Sequence, residues 1–180
     1  MDEKVAIQII QKLRHDWMND LQLILGYIQL GKPEKAEEKI ASVIELAGKN
    51  RALDRLQLPK TTILLLLLNA ENAHFQWEWE VRTTNSSNES FPNDDELKQQ
   101  LVSIYELLQE HLVEYEVYHA TLSIQKKEEE CAFQLIVNEA LDNTETLVEK
   151  LKKLSFVESI TSTESFQIKW KQFRKVIECL

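Results

Sequence analysis

Six apolar side chains, Ile10, Leu13, Trp17, Leu21, Ile24 and Ile28, recur at steps of three, four, four, three and four. At about 100° per residue they fall within a sector of roughly 80°, which describes a long helix with one apolar stripe. That helix is expected from near residue 3 to Leu30. Gly31-Lys32-Pro33 closes it and opens another, because glycine suits a C-terminal cap and proline a first turn. The second helix carries Ala36, Ile40, Val43 and Ala47 on towards Leu53 or Leu56 and ends before Pro59. So short a link forces an antiparallel hairpin. Two helices cannot cover both of their own apolar faces. A second copy can, and the expected solution is a homodimer that builds a four-helix bundle.

Beyond Pro59 the pattern changes. Thr61 to His74 reads as a helix buried all round, since Leu64 to Leu68 are consecutive leucines. Phe75-Gln76-Trp77-Glu78-Trp79-Glu80-Val81 alternates as a strand with one aromatic face. Thr83 to Asp95, rich in Asn and Ser, is a loop. Asp94 or Asp95 is then the expected cap of a helix reaching about Glu116, with Leu97, Leu101, Ile104, Leu108 and Leu112 as its stripe. Strands near Val117–Gln125 and Cys131–Asn138, a helix from about Leu141 to Leu154, and a closing pair near Phe156–Thr161 and Phe166–Phe173 complete the order. The fold class is α+β, with a helical hairpin over 1–58 and an α+β domain over 59–180.

Composition narrows the functions available. A chain of 180 residues with 43% apolar and 28% charged side chains is one modest domain or two small ones. The longest aliphatic run, Ile63 to Leu68, falls far short of the roughly 20 residues a membrane span needs, so a cytoplasmic protein without a membrane partner is expected. Cys131 and Cys179 form neither a disulfide framework nor a metal spacing. Basic residues nowhere cluster with aromatics, which argues against nucleic acid. The net charge of −9 is unevenly placed: residues 1–58 carry nine basic and nine acidic side chains, so the excess lies entirely beyond them. A neutral hairpin meets an acidic partner surface without repulsion.

His15 lies about 160° from the centre of the apolar stripe, beside Gln8, Gln11, Met18, Asn19 and Gln22. A structural histidine would sit on the stripe. An imidazole on a solvated face is a nucleophile near neutral pH, and phosphoryl transfer asks the protein mainly for positioning and charge stabilisation. Arg14 is placed to screen phosphate charge, and Asp16 or Asn19 to orient a ring nitrogen. The helix-surface rule favours Asn19, four residues on, over Asp16, about 100° round. The plain alternative is an idle surface histidine.

The run His15-Asp16-Trp17-x-Asn19-x-Leu21-Gln22-x-Ile24-x-Gly26, followed by Gln29-Leu30-Gly31, resembles the phosphoacceptor helix of the sporulation-phosphotransferase type. That helix is shared by sporulation phosphotransferases of bacilli and by citrate- and dicarboxylate-sensing histidine kinases. The resemblance covers roughly residues 9 to 58. It implies that His15 takes a phosphoryl group from the aspartate of one response regulator and passes it to the aspartate of a second, which controls sporulation. It also implies that Gln11, Lys12, Arg14, Asp16, Met18, Asn19 and Gln22 surround the reaction or dock the receiver domain, with Met18 as an adaptable apolar contact. No cofactor is expected on this chain, because in such families Mg2+ is held by the receiver.

Autophosphorylation from ATP is not expected. Asn138-Glu139-Ala140-Leu141-Asp142-Asn143 resembles the kinases' asparagine box, but nucleotide loops need glycine, and Gly26, Gly31 and Gly48 are all in the hairpin. The C-terminal layer therefore resembles a degenerate histidine-kinase ATPase domain without a nucleotide site. The rival from another class is a non-catalytic dimerisation or inhibitor module that grips a kinase or a regulator. His74, His111 and His119 lie on separate elements, so a zinc site is not expected. Trp77 and Trp79 face a core, and Glu128-Glu129-Glu130 is a solvated turn.

Overall fold

The computed structural model describes residues 3–71, 74–83, 92–113 and 115–173, with backbone only at 3–6, 70 and 71. It separates into two compact units, Met1–Arg51 and Ala52–Leu180. Among the described residues no helix is long and apolar enough to cross a membrane.

The first unit is the hairpin. Helix α1 (Glu3–Gln29) ends where the sequence places its stop. Gly31 adopts φ +66°, and the Lys32 and Gly31 amides donate to the Tyr27 and Ile28 carbonyls at 2.9 and 3.0 Å. These crossed bonds satisfy carbonyls that the last turn leaves free, and they need a residue tolerant of positive φ. Pro33 then opens α2 (Pro33–Asp54). An ion pair between Lys39 and Asp20 (2.6 Å), half-buried at both ends, sets the two helices at one level. In residues 7–51 one side chain alone, Ala36, is buried. The predicted stripe is left open: Ile10, Trp17, Leu21 and Ile28 are each about 60% exposed, and Leu13 and Ile24 are half-buried.

The second unit begins with the last turn of α2, where Leu53 is fully buried, and continues through Leu56 and Leu58 into α3 (Pro59–Glu71). There follow β1 (Phe75–Thr83), α4 (Asp94–Gln109), β2 (Tyr118–Lys126), β3 (Glu130–Val137), α5 (Thr144–Lys152), β4 (Val157–Ser162) and β5 (Phe166–Phe173). The strands form one sheet in the order β1-β2-β3-β5-β4. Only β1 and β2 run parallel, joined by a crossover that contains α4, while the remaining pairs are antiparallel. The alternation in β1 holds: Phe75, Trp77 and Trp79 are buried and Gln76, Glu78 and Glu80 exposed. Register carries one buried row across four strands, Trp77, Ala120, Val137 and Phe166. Leu65 and Leu68 of α3, Leu97, Leu101, Ile104 and Leu108 of α4, and Leu147 and Leu151 of α5 complete the same core. Phe133 stacks on Trp170 with ring centroids 5.2 Å apart. Cys131 lies within this core unpaired, and burial pushes its thiol up to about 12; Cys179 is outside the described residues.

Three expectations are corrected here. The cap of α4 is Asn93, whose Oδ1 accepts the Glu96 amide at 3.1 Å, and neither Asp94 nor Asp95. The Asp94 carboxylate instead accepts the Lys60 and Thr61 amides, both at 2.8 Å, so it caps α3. Helix α4 also stops at Gln109, short of Glu116. The buried His111 turns the chain by donating from Nδ1 to the Asp142 carbonyl (2.9 Å), and Tyr118 Oη accepts the Val113 amide (2.8 Å). Burial around α3 is uneven: Leu65 and Leu68 are sealed, and Leu64, Leu66 and Leu67 are half-covered. Of the loop expected over 83–95, residues 84–91 lie outside the described residues.

Candidate functional site

His15 sits midway along α1 on its solvated side, with its side chain 67% exposed. Two neighbours approach one ring atom. Asp16 Oδ1 and Asn19 Nδ2 each lie 3.3 Å from Nδ1. Their demands are opposed. An ionised carboxylate can only accept, so its contact requires Nδ1–H and leaves Nε2 with a bare lone pair. An amide nitrogen can only donate, so its contact requires a bare Nδ1 and puts the proton of a neutral ring on Nε2. The first arrangement points a nucleophile at solvent, and the second points a proton there.

The wider set divides by helix geometry. Lys12 Nζ lies 3.5 Å from Asp16 Oδ1, the oxygen that also meets the histidine. Gln11, Met18 and Gln22 share the exposed face with His15, Met18 being 51% exposed. None of these three forms a hydrogen bond with the ring among the described residues. Arg14 is exposed about 100° away, on the rim of the apolar stripe. The structure thus brings Lys12, Asp16 and Asn19 into one cluster with His15, while Arg14 and the remaining residues flank it. Spacing favoured Asn19 over Asp16, yet the two stand at equal distance. The Lys12–Asp16 pair was not singled out, although its i,i+4 spacing is a readable signal.

The other histidines are pinned within the second unit. His119 Nδ1–H and the His119 amide both donate to the Glu139 carboxylate at 2.6 Å. Burial alone would raise the Glu139 carboxyl, but these bonds outweigh it and hold the group below its ordinary range. His74 Nδ1 meets the Glu116 carbonyl at 3.3 Å, and His111 binds Asp142 as described. Among the described residues no three His, Cys, Asp or Glu side chains are arranged to hold a metal ion. The Asn138–Asn143 stretch falls between the end of β3 and the start of α5, so that helix begins at Thr144 and not near Leu141, with Asn143 in the left-handed region at φ 47°.

Residues 1–55 match the family described as the Sensor_kinase_SpoOB-type, alpha-helical domain. The chain is 27% identical over 119 residues to sporulation initiation phosphotransferase B of Bacillus subtilis (strain 168). That match covers 66% of this chain and spans 61% of the relative's length. Among solved structures, the nucleotide-free catalytic domain of histidine kinase ThkA aligns at a TM-score of 0.42 and 8% identity, over 68% of this chain and 92% of that one. Histidine kinase AdeS of Acinetobacter baumannii aligns at 0.41 and 8% identity, over 88% and 97%. Over residues 1–55 the chain is similar to the SpoOB-type helical domain, and this hairpin is followed by an α+β unit.

Proposed function

We propose that this chain is a phosphorelay phosphotransferase acting through His15. The observation that carries the reading is an exposed imidazole on a SpoOB-type helix with a carboxylate at its Nδ1. With Nδ1–H held by Asp16, the Nε2 lone pair attacks the phosphorus of a receiver's aspartyl phosphate. An N–P bond forms as the P–O bond to the donor carboxylate breaks, and that carboxylate leaves as the anion. The return step is the reverse, with an aspartate of a second regulator as attacker. Arg14 offers positive charge to the transferring group, and Gln11, Lys12, Met18, Asn19 and Gln22 form the docking surface around it. The receiver supplies Mg2+, and this chain supplies no cofactor. The second regulator is taken to govern sporulation, following the named role of the Bacillus relative.

The acting species is a homodimer in this reading. The Lys39–Asp20 pair places Ile44 near the level of Trp17 and Ile40 near that of Leu21. By helix periodicity these four side chains share one side of the hairpin, and all are exposed. A second hairpin laid against that side buries them in a four-helix bundle and leaves both copies of His15 outside.

The test is transfer of radiolabel from a phosphorylated receiver domain to wild type and to His15→Ala, beside an ATP-only control. The reading expects acid-labile label on wild type alone and none from ATP. Label from ATP would make the chain a kinase. No label from several receivers would favour the non-catalytic module that binds a kinase or regulator.

A further inference from the structure

We propose that Lys12 couples the docking of an acidic partner surface to the activation of His15. This rests on the phosphotransfer reading of His15 and goes beyond it by assigning a trigger. Asp16 Oδ1 stands between two cations or donors: Lys12 Nζ at 3.5 Å and the His15 ring at 3.3 Å. While Lys12 draws that oxygen, the carboxylate's hold on Nδ1–H weakens. Asn19, at 3.3 Å, then keeps its amide on a bare Nδ1 and leaves the proton on Nε2. The resting ring therefore favours the tautomer that cannot attack.

Release is built into the exposure of the pair. The Lys12 and Asp16 side chains are 45% and 48% exposed, within reach of a partner and open to screening. An acidic partner surface attracts the Lys12 ammonium, and Asp16 is then free to take Nδ1–H. Docking thus bares the Nε2 lone pair only when the partner is in place, and the phosphoacceptor stays quiet otherwise. Lys12 acts here as a positioning residue, through Asp16, without touching the transferring group.

The experiment reads the tautomer directly, by long-range proton–nitrogen NMR of the His15 ring in mildly alkaline buffer. Lys12→Met should raise the Nδ1–H fraction about twofold, the scale of an exposed i,i+4 pair. Asp16→Asn should lower it, Lys12→Arg should keep the wild-type ratio, and raised salt should move wild type but not Lys12→Met. An unchanged tautomer in Lys12→Met, with helix content intact and receiver-driven transfer normal in wild type, overturns the coupling alone. A tautomer shift in a protein that accepts no label from any receiver overturns the phosphotransfer reading and the coupling with it.

Discussion

Residues 7–51 seal only Ala36 from solvent, whereas among the described residues from Leu53 onward three helices and a five-stranded sheet bury a continuous apolar core. The polar inventory runs the other way. The described histidines of the second unit are each anchored through Nδ1 to a neighbouring connection, while His15 stands on an open helix face with two rival partners. A unit that completes its own core has every reason to fix its polar groups. The hairpin lacks one, and it leaves both its apolar stripe and His15 open. The contrast divides a closed, self-anchored unit from an open hairpin that carries His15.

The sharpest way to break that division is at His15. His15→Ala should cut phosphoryl transfer about a thousandfold or more, with an unchanged urea midpoint. Equal loss of stability would mean that the histidine is structural. Next in size is the sheet: Trp170→Ala removes a fully buried ring stacked on Phe133 and should cost about 3–5 kcal/mol in urea unfolding. A far smaller cost would show that the second unit is not close-packed. On the hairpin, Leu21→Glu with Ile44→Glu should yield monomers by sedimentation at micromolar concentration, because both sit on the open face. A persisting dimer would move the interface elsewhere.

Smaller effects test the second unit's polar joints. Asn93→Ala removes the side-chain acceptor of the Glu96 amide and should cost about 1 kcal/mol by denaturant midpoint. Glu139 has its carboxyl lowered on folding, so it contributes stability above the ordinary carboxylate range. That contribution is lost as pH falls through the folded value, and Glu139→Gln should flatten this part of the acid limb. A limb identical to wild type would show that the His119 clasp does not report on folding.

Much of this was legible in the chain because the signals were local and periodic. The stripe from Ile10 to Ile28, the Gly31-Lys32-Pro33 stop and the alternation from Phe75 to Val81 each act within a few residues, and each recurs in the structure. The exposure of His15 followed from the same periodicity. What escaped was decided at a distance. Asn93, Asp94 and Asp95 are all plausible caps by type, and nothing nearby tells that Asp94 is claimed by amides 33 and 34 residues away. The α4 stripe runs on to Leu112, but a bond from His111 to Asp142 ends the helix earlier. Equal access of Asp16 and Asn19 to one nitrogen depends on side-chain rotamers, which spacing does not determine.

The Asp94 carboxylate on the first turn of α3 has a consequence for how the second unit comes apart. The Lys60 and Thr61 amides belong to one helix and their acceptor to another, so neither amide is shielded until α4 has docked. Fraying of α3 from its leading end therefore cannot proceed while α4 remains in place. In hydrogen exchange the two amides should open together with α4, as members of one cooperative block.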